Sequence, residues 1–101
     1  MIVERVLVDI RAGDEAAFED ALERATNEVL FDAPGFRTFS AGRGIEQPSR
    51  YLLLIEWDRL EDHTVGFRES ERFTRWRELI GPYFAEAPAV EHYEPVARRG
   101  R

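Results

Sequence analysis

The 101-residue sequence contains no cysteine, only two histidines and a single methionine. The absence of cysteine excludes disulfide bonds, thiolate nucleophiles and cysteine-based metal sites, and it fits the reducing cytoplasm. No apolar run approaches the length of a transmembrane helix, and charged residues interrupt the apolar start MIVERVLVDI, which argues against a secretory signal peptide. We therefore expect a cytoplasmic protein that is neither exported nor embedded in a membrane.

Basic residues are fewer than acidic ones, 14 against 20, so the formal net charge is -6 at pH 7. An excess of negative charge disfavours binding to phosphate backbones, so no nucleic-acid partner is expected. The one basic cluster, Arg98, Arg99 and Arg101, fits a solvated chain end better than a binding arm. The chain is 44% apolar and 12% aromatic, which suffices for one hydrophobic core. We expect a single domain over residues 1–97 and a basic C-terminal tail over 98–101.

Runs rich in apolar and β-branched residues predict four strands. The third run, residues 51–57, is apolar at nearly every position, which indicates a sheet that is covered on both faces. The predicted strands cover residues 2–11, 36–43 and 51–57, and a fourth begins near residue 89. Between the first two strands, apolar residues at helical spacing predict a helix that ends near Phe31, before the breaker sequence DAPGF.

A second helical region, in two parts, is predicted between the third and fourth strands. Asp58 and Glu61 have the spacing of a capping box, which predicts a short helix that ends near Phe67. Ser70 is the predicted cap of a longer helix, whose last turn is kinked or restarted at Gly81.

The resulting order, β-α-β-β-α-β, predicts an α+β, ferredoxin-like fold with both helices on one face of a four-stranded antiparallel sheet. The opposite face also carries apolar residues, which a soluble monomer rarely exposes as one patch. We therefore expect a homodimer in which two such faces pack against each other about a two-fold axis.

The stretch AVEHYEPV, at residues 89–96, places His92 on the same predicted strand face as Val90 and Val96. A single histidine on an apolar face is more often a hydrogen-bonded core residue than a catalyst, and both interpretations remain open. The two histidines lack the ligand spacings of zinc or non-haem iron sites, so no metal is expected.

Several of these residues resemble the antibiotic biosynthesis monooxygenase family of dimeric α/β barrels. The similar features are Trp57 at the end of the third strand, the split helix with Phe67 and SERF, and the VEHY of the last strand. The resemblance implies a dimeric barrel. Because its members include cofactor-free oxygenases acting on anthrones and quinols, haem-degrading enzymes, and proteins without a known reaction, the fold alone does not assign an activity.

The haem-degrading members carry an asparagine, a tryptophan and a histidine ligand where this chain has Val6, Phe67 and Arg77. Without an iron ligand, a haem-degrading role is not expected, and the resemblance implies no cofactor.

The anthrone oxygenases are the closer comparison. Trp57 and Arg77 match residues of their site, Leu53 replaces an asparagine, and His63 stands where they have a tyrosine. A histidine at that position can still accept or donate a proton, but the missing amide removes one donor to an oxyanion.

The resemblance thus implies a small aromatic substrate, phenolic, quinol or polyketide-like, that is oxidised by dioxygen and supplies its own electrons. We assign catalytic roles to His63 as the base, to Trp57, and to Arg77 beside the oxyanion. The candidate substrate-binding residues are Phe39, Phe67, Trp76, Tyr83 and His92.

A structural interpretation competes with each of these assignments. The aromatic residues could be ordinary core, and Arg77 could pair with Glu69 or Glu78. In that case the protein is a non-catalytic dimeric module that binds a small molecule or only dimerises. A cavity between sheet and helices, with His63 or His92 and Arg77 pointing into it, favours the enzyme.

Overall fold

A computed structural model describes residues 1–101. Four strands and two α-helices follow the predicted order: β1 (Ile2–Asp9), α1 (Glu15–Ala25), β2 (Phe36–Arg43), β3 (Arg50–Trp57), α2 (Glu71–Ile80) and β4 (Ala89–Tyr93). Two π-helical segments, Thr26–Leu30 and Asp62–Phe67, and a 3₁₀ turn, Gly81–Tyr83, complete the helical parts. The ferredoxin-like arrangement is confirmed. No helix is long and apolar enough to cross a lipid bilayer.

The sheet has the strand order β2-β3-β1-β4, and all adjacent strands are antiparallel. Strand β1 is therefore central, with β3 on one side and β4 on the other. In this register Glu4 lies opposite Ile55 of β3 and opposite His92 of β4. Side chains from three strands thus meet around Glu4 on the helix-covered face.

The hydrophobic core lies between this face and the helices. Phe18 of α1 is completely buried and packs edge-on against Tyr51 of β3, with ring centroids 4.9 Å apart. Trp57 is also completely buried, at the other end of β3. Because each aromatic side chain buries a large apolar area, this packing fixes α1 and the second helical region over the same sheet face.

The opposite sheet face has no helical cover. Its partly exposed apolar side chains include Leu52, at 37% exposure, and Tyr93, at 48%. Arg5 pairs with Glu91 across this face. The C-terminal residues 94–101 are exposed and form no regular secondary structure.

Two predicted caps differ in their chemistry. Asp58 and Glu61 do not form a capping box; instead Asp58 pairs with Arg37 of β2 at 2.9 Å. Asp62 caps this turn, because its carboxylate accepts a hydrogen bond from the Arg59 backbone N–H at 3.1 Å. The capping carboxylate is therefore Asp62 and not the predicted Glu61, because a side chain three residues after Arg59 can reach the Arg59 amide.

Ser70 occupies the predicted N-cap position of α2, but its hydroxyl donates to the Phe67 carbonyl at 2.6 Å rather than accepting from the helix. The hydroxyl therefore closes the preceding π-helical segment. At the other end of the chain, β4 stops at Tyr93, and Val96 is 97% exposed, so Val96 does not share a strand face with His92.

Candidate active site

A cluster of four polar and aromatic side chains lies beneath the second π-helical segment. Glu4 comes from β1, Trp57 from the end of β3, His63 from the π-helical segment and His92 from β4. The Trp57 indole N–H donates to Glu4 Oε1 at 3.0 Å. Glu4 Oε2 lies 3.3 Å from His63 Nε2, and His63 Nδ1 lies 2.8 Å from His92 Nε2. The imidazole of His63 therefore bridges a carboxyl group and a second imidazole.

The cluster is almost completely shielded from solvent. Glu4 is 5% exposed and His63 is 2% exposed. The His63 ring stacks on Trp57, with ring centroids 5.5 Å apart and planes 24° apart. Trp57 thus contacts both partners, through its N–H to Glu4 and through its ring face to His63.

Burial dominates the protonation of these groups. It raises the pKa of Glu4 to about 7, although the Trp57 hydrogen bond and the Arg68 charge act in the opposite direction. The pKa of His63 is lowered to about 4, first by burial and also by the positive charge of Arg68 and by the proximity of His92. The pKa of His92 is lowered by burial and by Arg68. Because the pKa of the acid is raised and the pKa values of both imidazoles are lowered, all three groups favour their neutral forms.

The contact between Glu4 and His63 is close enough for an ion pair, but the pKa values favour a neutral hydrogen bond. We favour the neutral form because the buried site has no water to solvate the two charges. A single contact of 3.3 Å between them compensates poorly for that missing hydration. Both ring nitrogens of His63 already have partners, and no group of three His, Asp or Glu has the arrangement of a metal site.

The π-helical segment is what directs His63 toward Glu4. The Arg68 backbone N–H donates to the His63 carbonyl at 3.0 Å, an i to i+5 bond that widens the turn. Gly35 packs against this segment in a left-handed conformation, with φ of 81°. A Cβ on Gly35 would lie 2.3 Å from Asp62 Oδ2, so only glycine allows the segment to approach β2 this closely.

A half-open cavity of about 770 Å³ lies between the sheet and α2. Glu4 and His63 are among its lining residues, and so are the charged residues Arg68, Arg77, Glu78 and Glu86. Most of the remaining wall is apolar, including Val6, Leu53, Phe73, Trp76, Ile80 and Phe84. An apolar cavity with a few polar groups is typical of small-molecule sites.

Three of the predicted site residues, His63, Trp76 and Arg77, line this cavity. Arg77 pairs with neither Glu69 nor Glu78; its guanidinium lies 5.8 Å from the Phe73 ring centroid. The structure therefore leaves the Arg77 charge free to face the cavity.

Three others stand directly behind the cavity wall. Trp57 holds Glu4, and His92 contacts His63 from the side of β4. Phe67 lies between Trp57 and Trp76, with centroid distances of 5.4 and 6.2 Å. These residues support the cavity-lining groups and are not themselves among its lining residues.

The structure does not bring Phe39 or Tyr83 to this cavity. Phe39 lines a separate pocket of about 390 Å³ between α1 and β2, because its strand is at the opposite edge of the sheet from β4. Tyr83 packs against the core, and its carbonyl accepts a hydrogen bond from the Arg11 backbone N–H at 3.0 Å. Phe39, predicted as part of the aromatic slot, and Tyr83, predicted as a further polar contact, are thus not beside Trp76 in this cavity, and their role in substrate binding stays a prediction.

Sequence reasoning missed Glu4 and Arg68. Glu4 occupies a position that faces the core, in alternation with Val6 and Val8, and a carboxyl at such a position has to be paired or neutral. That inward position was the available signal. Arg68 follows the π-helical segment directly, and nothing in the local sequence distinguishes it from the exposed arginines nearby.

Comparison with known proteins decides the family. The family model described as antibiotic biosynthesis monooxygenase matches residues 1–79. The chain belongs to the antibiotic biosynthesis monooxygenase family. It is 38% identical to the uncharacterized protein YczJ of Bacillus subtilis (strain 168) over 96 residues, which cover 95% of this chain and 100% of YczJ.

Solved structures of similar proteins agree with this family assignment. A Bordetella bronchiseptica protein named for the same family superposes with a TM-score of 0.91 at 36% identity, over 95% of this chain and 97% of that one. A Nitrosomonas europaea protein of the same family name has a TM-score of 0.81 at 19% identity, over 98% and 93% of the two chains. The second likeness shows the fold alone.

Proposed function

We propose that this family member is a cofactor-independent monooxygenase that oxidises a small phenolic, quinol or polyketide-like aromatic with dioxygen. The observation that supports this most directly is the cavity of about 770 Å³ with the Glu4–His63 pair in its wall. A substrate that fills this half-open cavity displaces water from its apolar wall, and a buried acid–base pair moves the proton that must leave before the substrate can give electrons to dioxygen.

The overall reaction balances without an external reductant. A hydroquinone oxidised to a hydroxyquinone and water balances with one dioxygen. In an anthrone, a ring CH₂ adjacent to a phenolic system becomes C=O, and this four-electron oxidation matches the four-electron reduction of dioxygen. One oxygen atom enters the carbonyl group and the other leaves as water with the two hydrogens. The protein must therefore accept one proton from the substrate carbon and later return one to the departing water.

Glu4 is the group best suited to the proton transfer. A base works most efficiently when its pKa is near the working pH, and burial raises the pKa of Glu4 to about 7. His63 alone is too weakly basic, because burial lowers its pKa to about 4. We therefore assign the base role predicted for His63 to the Glu4–His63 pair. Trp57 is a positioning residue that holds Glu4 Oε1 through its N–H.

The hydrogen bonds connect this pair to β4. When Glu4 is protonated, its Oε2–H donates to His63 Nε2, and His63 Nδ1–H donates to His92 Nε2. A shift of protons along these two bonds transfers one proton from Glu4 to His92 without moving a heavy atom. His92 thereby receives the proton transiently, because burial and Arg68 lower its pKa and disfavour its charged form.

Dioxygen uptake tests the proposal. Purified protein should accelerate uptake with at least one compound from a panel of anthrones and hydroquinones, above the spontaneous rate measured without protein. Glu4→Gln and His63→Ala should each lower the enzymatic rate about a hundredfold or more, the usual contribution of general acid–base catalysis. Asp20→Asn, an exposed substitution on α1, is the matched control and should leave the rate unchanged.

A non-catalytic binding module is the competing function, and Leu53 is the observation in its favour. Leu53 is buried and lines the cavity at the position where similar oxygenases carry an amide. If aromatic ligands bind while dioxygen uptake stays at the spontaneous rate, or if neither Glu4→Gln nor His63→Ala slows it, the oxygenase proposal fails and the module is favoured.

We also propose that the uncovered sheet face forms a homodimer. The partly exposed apolar side chains on this face include Leu52 and Tyr93, which a second copy would cover. Sedimentation velocity at micromolar concentration should show a species of twice the chain mass, and Leu52→Glu should shift it toward single chains. A single-chain species for the unchanged protein would refute the dimer.

A further inference from the structure

Two arginines without a partner stand out in the charge pattern of this molecule. The chain has no lysine, so its 14 basic side chains are all arginine. Most of them pair with carboxylates, and Arg72 donates to the Val29 carbonyl. Outside the exposed tail, only Arg68 and Arg77 form neither an ion pair nor a side-chain hydrogen bond. Both line the cavity described above.

This pattern is unexpected in a protein with 20 acidic residues and a net charge of -6. The acids in the cavity wall do not neutralise the two guanidinium groups. Glu78 lies 3.8 Å from Arg75. Glu86, the third acid in the wall, acts on Arg50, whose pKa is raised by Asp9 and further by Glu86. Glu4 is buried with its pKa raised to about 7. Each free guanidinium presents up to five N–H donors, and these donors remain available to a bound molecule.

The positions of the two arginines are fixed by local structure. The Arg68 backbone is tied to the His63 carbonyl by the π-helical hydrogen bond of 3.0 Å. Its positive charge is close enough to lower the pKa values of Glu4, His63 and His92 alike. The Arg77 guanidinium lies over the Phe73 ring, on the α2 wall. One cation thus lies beside the proton-transfer groups and the other on the apolar wall.

We infer that the cavity binds an aromatic carboxylate, with its rings against the apolar wall and its carboxylate held by Arg68 and Arg77. The guanidinium fork matches a carboxylate geometrically, and the partly water-excluded wall strengthens the attraction. The inference rests on the proposed function in placing the substrate in this cavity, and it narrows the aromatic class to its anionic members. Below its raised pKa of about 7, Glu4 is protonated and does not repel such an anion.

Equilibrium binding separates this inference from ordinary hydrophobic binding. Isothermal titration calorimetry with the full chain would compare 1-hydroxy-2-naphthoate with its methyl ester, which has the same rings and no charge. The acid should bind at least tenfold more tightly than the ester. Arg68→Gln and Arg77→Gln should each weaken acid binding about tenfold or more, as expected for a lost hydrogen bond to a charged group, and leave ester binding unchanged.

Arg24→Gln is the matched control, because Arg24 pairs with Glu28 on α1, away from the cavity. The ratio of acid to ester affinity is measured on each variant, so a variant that loosens the fold lowers both affinities and keeps the ratio. The inference is overturned if acid and ester bind equally, if neither binds, or if Arg24→Gln reduces the ratio as much as Arg68→Gln.

Binding requires no turnover, so the two proposals fail separately. Selective, arginine-dependent binding of the acid without dioxygen uptake from any compound would support the anion site and refute the oxygenase. Dioxygen uptake with neutral hydroquinones, together with equal affinity for acid and ester, would support the oxygenase and refute the anion site.

Discussion

Replacing Glu4 by glutamine tests the central electrostatic feature of the site, a buried carboxyl group that is neutral. Below about pH 6 Glu4 is protonated, so glutamine has the same charge and nearly the same shape. Above pH 7 the original side chain is ionised and the glutamine is not. The difference in the free energy of unfolding between variant and original protein should therefore depend on pH.

The size of that dependence follows from the pKa of Glu4, which burial raises from 4.5 to about 7. Between these values the folded chain binds more protons than the unfolded chain, so the original protein loses stability as pH rises. At about 1.4 kcal/mol per pKa unit, the total is about 3 kcal/mol. His63 acts in the opposite sense: its pKa is lowered from 6.5 to about 4, so its neutral form adds stability as pH rises through that window.

The two effects nearly cancel in the original protein between pH 4.5 and 6.5, which is why the difference between the two proteins is the quantity to measure. Urea unfolding at half-unit steps from pH 4.5 to 8.5 supplies it. The stability of Glu4→Gln relative to the original protein should rise by about 3 kcal/mol up to pH 7 and then level off. If the relative stability of Glu4→Gln does not change with pH, the pKa of Glu4 is unperturbed. If it falls as pH rises, Glu4 is ionised and stabilised by a charged His63, against our assignment.

Further substitutions test the supports of the site. Trp57→Phe removes the N–H that donates to Glu4 Oε1. Loss of this hydrogen bond should cost about 1 kcal/mol of stability and raise the pKa of Glu4 further, which the carboxyl ¹³C shift measures by NMR. An unchanged pKa would contradict the hydrogen bond. Gly35→Ala should destabilise by more than the roughly 1–2 kcal/mol of a left-handed alanine, because its Cβ would collide with Asp62. Gly13→Ala, with positive φ and nothing within 4 Å, is the control; equal losses of melting temperature in both would remove the steric argument.

The fold could be predicted from the sequence because its signals are local and repeated. The apolar, β-branched runs of β1 and β3 specify two strands, and the helical spacing around Phe18 and Trp76 specifies two helices with their buried faces. The βαββαβ order then permits few topologies. The caps at Asp58 and Ser70 were less predictable, because several nearby polar groups compete for the same amides and carbonyls.

The site was harder to predict because its contacts are not local. His63 was singled out by residue type, but its partners Glu4 and His92 lie far away in the chain and meet only through the register of β1 with β4. The protonation of these groups depends on burial, which no sequence pattern displays directly. The π-helical turn also has no sequence signature comparable to a cap or a breaker, so the direction of the His63 side chain could not be deduced.

That turn makes the chemistry sensitive to chain length as well as to residue type. A π-helical turn holds one residue more than an α-helical turn, so the segment Asp62–Phe67 contains one additional position. Deleting a single residue there would restore the ordinary helical repeat and rotate the side chains on one side by about 100°. A homologue with this one-residue deletion would keep every strand and helix, but a different side chain would point into the interior. Among relatives, a one-residue gap at this point would therefore mark diverged chemistry more reliably than many substitutions elsewhere.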